Sequence, residues 1–294
     1  SLILVLVIAG CTGGSSSSRS SGKEILKITD FDSFPKNTVH PDETLILRAT
    51  IKNVADVPAI FNVSENGSEI LFDYCSSLYT LVEDTGFDIL TANGKPGIEN
   101  MSLEPSEEAI FQWTFKAPSE EAIGANMGLS QTCTFKTQIS YFSEAHTISY
   151  VYFASKNEIM QRTYTGKDLN LKGDAIETAG PVIVNIIPSR DQPIPTPGQW
   201  TFYMNVQNKG EGIVDISDLS INEFDGTNLV DSSNKCDIAA EKLKIYGGKS
   251  SRIACTLDTP EDAILLTPKR YETHINYTYK TREDLKIKTE AFNY

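Results

Sequence analysis

The sequence predicts an all-β protein built from two tandem antiparallel β-sandwich domains, and three observations predict it. Two stretches alternate with a period of two: Leu45, Leu47, Ala49 and Ile51 against Ile46, Arg48 and Thr50, and Trp200, Phe202, Met204 and Val206 against Thr201, Tyr203, Asn205 and Gln207. Such alternation marks a strand with one face in a core. The two strands superpose without a gap when the chain slides by 155 residues, placing Ile51 on Val206 and Asn53 on Asn208. Turns rich in Pro, Gly and Asn separate the remaining apolar runs, as in antiparallel sandwiches.

In chain order, residues 1–10 are an apolar run, 11–22 a Cys-led Ser/Gly linker, 23–155 the first sandwich, 156–179 a connector, and 180–294 the second sandwich. Glu24 to Asp30 reads as an opening strand, and Phe34 to Pro41 as a loop whose prolines bar a ladder. The 155-residue offset carries Ile28 onto Ile183 and Phe31 onto Ile186. Later parts repeat with altered loop lengths: Phe111 to Phe115 with Ala117-Pro118 matches Ile253 to Leu257 with Thr259-Pro260, so Trp113 stands where the second copy has Cys255. Phe135 to Tyr141 corresponds to Tyr271 to Tyr277, and each copy is expected to close on a terminal hairpin with Thr147 to Phe153 or Leu285 to Phe292 as its last strand. About seven strands per domain follow. In the connector, Asn157 to Arg162 is expected to form a short helix.

A length of 294 residues suits two domains, and 40% hydrophobic content is ordinary for a globular chain. The net charge of −13 argues against nucleic acid, whose phosphates recruit clustered Lys and Arg. Five cysteines, with no Cys-x-x-Cys among them, read as one disulfide per domain, Cys75 with Cys133 and Cys236 with Cys255, leaving Cys11 over.

The opening Ser1 to Gly10 run is shorter than the roughly 20 residues of a spanning helix but fits the core of a signal peptide. Ile8-Ala9-Gly10-Cys11 resembles the lipobox of secreted lipoproteins, which implies cleavage before Cys11 and a lipid on it. Apolar strands ending at Asn53 or Asn208, later strands running into Ala-Pro118 or Thr-Pro260, and Tyr-rich terminal segments resemble CARDB-type immunoglobulin-like domains. A pair of these behind a Gly-Cys-Thr-Gly-Gly start is similar to archaeal surface lipoproteins. The resemblance implies an extracellular, membrane-anchored location and a structural or adhesive role, and it supplies no active-site residues.

Catalytic chemistry has little to work with. The three histidines are scattered: His40 beside a proline, His146 near an expected hairpin, and His274 on the outward phase of a strand whose other face carries Tyr271, Thr273, Ile275 and Tyr277. All three read as surface residues. No Gly-x-Ser-x-Gly elbow or phosphate cradle occurs. Asn222 to Asn228 is acidic, but Ile221 falls where a calcium loop needs its first oxygen ligand, so a hairpin with Asp225-Gly226 at its tip is expected. Glu83 to Asp88 is a second acidic loop without a stronger claim. The expectation is therefore no catalytic residue, no metal and no cofactor. Aromatics crowd the closing strands (Tyr141, Phe142, Tyr150, Tyr152, Phe153, Tyr271, Tyr277 and Tyr279), and those facing outward suit a glycan or protein partner. Sequons at Asn62, Asn66, Asn100 and Asn276 permit glycosylation.

Three functions compete. The leading one is a non-enzymatic surface lipoprotein tethered through Cys11, with a structural, adhesive or protein- or glycan-binding role. In the second, the run Leu2, Ile3, Leu4, Val5, Leu6, Val7 and Ile8, rich in β-branched residues, is donated as a strand to a neighbouring subunit, assembling an extracellular filament. The third is a small-ligand-binding lipoprotein, which requires a deep pocket.

Overall fold

The computed structural model describes residues 24–62, 68–72, 78–82, 87–89, 100–123, 130–167, 171, 175–177, 180–224, 229–231, 236, 243–261 and 263–290. The first half forms β1 (Leu26–Phe34), β2 (Thr38–Val39), β3 (Thr44–Asn53), β4 (Ala59–Asn62), β5 (Ser68–Phe72), β6 (Thr80–Leu81), β7 (Phe87–Ile89), β8 (Asn100–Leu103), β9 (Glu108–Lys116), α1 (Glu120–Ile123) and β10 (Ser130–Ser155). The second forms α2 (Lys156–Thr165), β11 (Ala175–Glu177), β12 (Val182–Pro188), β13 (Ile194–Thr196), β14 (Gln199–Asn208), β15 (Ile213–Phe224), β16 (Leu229–Asp231), β17 (Lys244–Tyr246), β18 (Ser250–Asp258) and β19 (Thr267–Glu290). The chain is all-β with antiparallel sheets, as its alternation predicts.

Two small sheets repeat one design. In the first, β3 lies between β1 and β9, and β6 and β7 also pair with β9. In the second, β14 lies between β12 and β18. Their registers correspond: Leu47 faces Trp113 where Phe202 faces Cys255. The opening strands differ by one residue. A bulge between Ile28 and Asp30 in β1 has no counterpart in β12, so Ile28, opposite Ile51, corresponds to Val184, opposite Val206, and not to Ile183. Beyond the bulge the 155-residue offset holds, with Phe31 opposite Ala49 and Ile186 opposite Met204.

Both small sheets pack on a larger sheet centred on β10 and β19. The terminal hairpins expected in each copy are absent: β10 and β19 run unbroken and pair antiparallel with each other from Ser130 opposite Glu290 to Phe153 opposite Thr267. The physical reason lies in the stretch read as a turn. Between Ser130 and Ser155 there is no Gly, Pro, Asn or Asp to bend the chain, and the inward phase continues through Tyr141, Ser143, Ala145 and Thr147. Without a turn to close it locally, each long strand takes the other as its partner.

The ladder has two-fold symmetric register. Phe135 and Tyr271 are equivalent, as are Tyr141 and Tyr277, and Phe142 opposite Thr278 is the pair that maps onto itself. Each half therefore borrows from the other. β2 pairs in parallel with β19 through Val39 opposite Thr289, and β13 pairs in parallel with β10 through Ile194 opposite Phe153. On one side Phe115 packs on Phe135 (5.7 Å) and Phe61 on Phe111 (6.2 Å); on the other Trp200 packs on Phe153 (5.4 Å) and Tyr271 (5.6 Å). The buried side chains from Leu26 to Ile287 form one continuous cluster.

Helix α2 follows β10 directly. The Ser155 hydroxyl accepts from the Glu158 N–H, Gly166 closes the helix in the left-handed region at φ 66°, and no α2 residue is buried. Among the described residues no helix is long and apolar enough to cross a membrane.

Candidate functional site

The continuous ladder gives the outer face of the large sheet a row of side chains that the sequence leaves far apart. His146 and His274 are directly opposite each other on β10 and β19. Glu272 lies two residues along β19 from His274, on the same face because strand side chains alternate. Arg270 is the next outward position.

These four side chains form one cluster. The Glu272 carboxylate is buried at 7% side-chain exposure, whereas the side chains of His146 and His274 are 30% and 40% exposed. Its Oε2 lies 3.4 Å from His146 Nε2 and 3.7 Å from His274 Nε2, and its Oε1 accepts from the Arg270 guanidinium. The two imidazoles stack with centroids 4.2 Å apart and planes 11° from parallel. A buried carboxylate requires such company, since an unpaired charge removed from water is costly. The arrangement can hold a proton between carboxylate and imidazole, or present two imidazole nitrogens and a carboxylate oxygen to a cation.

Sequence reading placed His274 on the outward phase, where it is, but put His146 near a hairpin, and no hairpin is there. The cluster itself was missed. Part of its signal was available, because Arg270, Glu272 and His274 alternate along one face. What was hidden was His146, whose approach depends on pairing between strands more than a hundred residues apart.

The other predicted residues are placed as follows. Cys236 and Cys255 are joined, with S–S 2.09 Å. Cys133 is buried in β10 and disulfide-bonded. Cys75 and Cys11 lie outside the described residues, as do the proposed donor strand Leu2 to Ile8 and the sequon at Asn66. Asn62 and Asn100 end and begin paired strands β4 and β8. Asn276 sits in mid-sheet, opposite Glu144 on one side and Asp218 on the other, rather than in the surface loop a sequon usually occupies. The acidic Asn222 to Asn228 stretch connects β15 to β16, which pair as a hairpin with Phe224 opposite Leu229; residues 225–228 lie outside the description. Of the Glu83 to Asp88 loop, residues 83–86 lie outside it too. His40 is a structural contact, its Nδ1 lying 2.8 Å from the Glu290 carbonyl oxygen.

Most of the aromatics belong to the core. Tyr141, Phe153, Tyr271, Tyr277 and Tyr279 are buried, while Phe142 is 62% exposed. Burial raises the hydroxyl pKa of Tyr141, Tyr271 and Tyr279 well above the usual phenol value, and that of Tyr277 to about 12. Glu24 adds to the rise at Tyr279, whose hydroxyl donates to its Oε1 at 2.7 Å and accepts from the Gly212 N–H at 2.7 Å. A depression lined by Lys209 to Ile213 and Tyr246 to Gly248 is open, bounded by two turns, and does not bring carboxylates together.

No protein-family model matches the chain, and no curated protein matches it. Among solved structures it is similar to the secreted serine protease VesC from Vibrio cholerae, at 8% identity over 87% of this chain and 50% of that one, with a TM-score of 0.19. It is also similar to allantoicase, at 11% identity over 88% of this chain and 91% of that one, with a TM-score of 0.18. The chain thus spans half the length of the protease. Likeness at this level carries nothing about activity.

Proposed function

We propose that this is a non-enzymatic extracytoplasmic surface lipoprotein, held to the membrane by a lipid on Cys11, with a structural, adhesive or protein- or glycan-binding role. The observation that supports this reading most is the ladder from Ser130–Glu290 to Phe153–Thr267. A display or scaffold module benefits from stiffness, and here the two halves are joined by continuous backbone pairing as well as by a connector. Domains joined by a small polar interface would instead be expected to move relative to one another.

The described chain begins at Glu24, which touches Tyr279 and the Glu211 N–H close to the middle of the ladder. A tether running from Cys11 would therefore join the body near the middle of the ladder.

Intact-mass and peptide mass spectrometry of the native membrane-extracted protein tests the anchor. The expected result is a mature N-terminus at Cys11 carrying lipid mass. Recovery of an unmodified peptide containing both Gly10 and Cys11 overturns it.

A further inference from the structure

We propose that His146, Glu272 and His274 form a binding site for one divalent transition-metal ion of the zinc class, with Arg270 as the residue that positions the carboxylate. Imidazole nitrogen and carboxylate oxygen are the ligand set such ions favour, and two His with one Glu leave a coordination position open to water.

The distances support the assignment. With metal–ligand bonds of about 2.0–2.2 Å, neighbouring ligand atoms of a tetrahedral site lie roughly 3.4 Å apart. Here the ligand atoms lie within 4.8 Å of one another, and the two measured from Glu272 Oε2 are 3.4 Å and 3.7 Å. The donors are near their final spacing before any ion arrives. The imidazole planes are almost parallel, so binding requires the rings to splay about their side-chain torsions until both Nε2 lone pairs meet the ion. Their partial exposure gives them room to do so.

The division of labour at Glu272 points the same way. Arg270 engages Oε1, while both imidazoles face Oε2. Ligating carboxylates and imidazoles are commonly fixed by such outer partners, which set their orientation. The other half of the ladder provides an internal comparison. Across the two-fold axis, the positions of His146, His274 and Glu272 are taken by Arg282, Gln138 and Lys136, and Arg282 simply donates to Gln138 at 2.6 Å. The outer face therefore does not require imidazoles for its stability; one half has a ligand set where the other has an ordinary polar pair.

The test uses the full chain without a polyhistidine tag. Zn²⁺ is titrated by calorimetry, and the Co²⁺-loaded protein is examined by visible absorption. Saturable binding of one Zn²⁺ per chain is expected, with a roughly tenfold or greater loss in affinity for His146→Ala and for His274→Gln. The Co²⁺ form is expected to show the intense bands of a four-coordinate site, weakened in both variants. Glu272→Gln removes the partner of Arg270 and can unfold the sheet, so His274→Gln, at an exposed position, carries the decision. Circular dichroism of the metal-free variants confirms their fold. No saturable binding up to about 1 mM Zn²⁺, or an isotherm unchanged in His274→Gln, overturns the proposal and leaves the cluster as an ion pair between Glu272 and Arg270 flanked by two stacked imidazoles.

Discussion

Phe142 lies directly opposite Thr278 at the centre of the β10–β19 ladder, and it is the one pair that the internal symmetry maps onto itself. Everything on either side of it is duplicated: Tyr141 faces Tyr279 as Tyr277 faces Ser143, and Phe135 faces Leu285 as Tyr271 faces Ser149. The repeat is thus assembled as two copies that exchange the ends of their long strands, a geometry otherwise found in strand-swapped dimers.

Exchange has a direct consequence for stability. A fragment ending at Ser155 retains Phe135 and Cys133 but loses Leu285 and Ile287 opposite them, together with Thr289 beside Val39. The fragment 24–155 is expected not to exist as a folded monomer; it unfolds or pairs with itself about Phe142. Co-expression with 156–294 is expected to restore a stable heterodimer. Light scattering and amide NMR dispersion on the separate fragment check this, and a well-dispersed monomer would contradict it. By the same reasoning the full chain unfolds in a single cooperative transition in urea, where independent domains would give two.

Sequence alone revealed the strands, their inward phases and the repeat, because each is a local pattern of apolar and polar residues. It did not reveal how the strands are shared. The stretch Phe142 to His146 looks like a turn because Ser143, Glu144 and His146 are polar, yet its period of two never breaks and none of the usual turn residues is present. Partner choice is settled by long-range packing, and a ladder between two copies uses the same residues as a hairpin within one. The bulge beside Thr29 was hidden for a related reason: one extra residue leaves the apolar pattern of β1 almost unchanged while shifting its alignment by one. The metal-type cluster depended on the same missing pairing, since His146 meets His274 only across the ladder.

The asparagines that close the repeated strands are structural keystones. Asn53 Nδ2 donates to the Val57 and Leu103 carbonyls, both at 2.8 Å, and its Oδ1 accepts from the Ala55 N–H at 2.9 Å. Asn208 repeats this with the Gly212 carbonyl (2.9 Å), the Ile245 carbonyl (3.1 Å) and the Gly210 N–H (3.0 Å). Both residues are fully buried. Asn208→Ala leaves three backbone groups without that partner, and a loss of roughly 3 kcal/mol is expected in urea unfolding, at 1–3 kcal/mol per buried group with partial rescue by water. Asn208→Asp is expected to be similarly harmful, because a carboxylate cannot donate to two carbonyls. A loss below about 0.5 kcal/mol in either variant, the range of ordinary surface changes, would show that the corner does not depend on this side chain.

The same corner differs between the copies at two positions in contact. A Cβ on Gly212 would sit 2.3 Å from the Lys280 carbonyl oxygen and 2.7 Å from the Tyr279 ring. Its counterpart in the first copy is Val57, and the counterpart of Tyr279 is the much smaller Ser143. The large ring in one half thus lies against a position that has no side chain. Gly212→Ala is expected to cost about 1–3 kcal/mol through overpacking. Pairing it with Tyr279→Ser is expected to recover part of that cost, even though the tyrosine's hydrogen bond to Glu24 is lost. A double-mutant cycle in urea measures the coupling, and strict additivity would disprove the steric explanation.

Tyr141 and Tyr277 are equivalent in the ladder but not in their hydrogen bonds. The Tyr141 hydroxyl accepts from the Ile25 N–H at 3.1 Å; the residue corresponding to Ile25 is Pro181, which has no N–H, and the buried Tyr277 hydroxyl interacts instead with the side chain of Ser143, opposite it in the ladder. Tyr277→Phe is accordingly expected to cost less than Tyr141→Phe, which leaves the Ile25 N–H without its acceptor and loses about 1 kcal/mol. Burial also makes the stability of the fold depend on pH in the alkaline range. Burial is the main cause raising the Tyr277 pKa from 10.0 to about 12, and Tyr79, Tyr141, Tyr271 and Tyr279 are raised as well. A folded-state pKa above the unfolded value contributes stability that is fully present below pH 10 and disappears as pH rises through the folded-state value. Between pH 10 and 12 the unfolded chain releases these protons while the folded chain largely keeps them, so Tyr277 alone accounts for a decline of about 2 kcal/mol over that window. Urea unfolding at pH 9, 10.5 and 11.5 is expected to show a steep loss of stability in the wild type and a shallower one in Tyr277→Phe; parallel pH profiles for the two proteins would remove Tyr277 from this account.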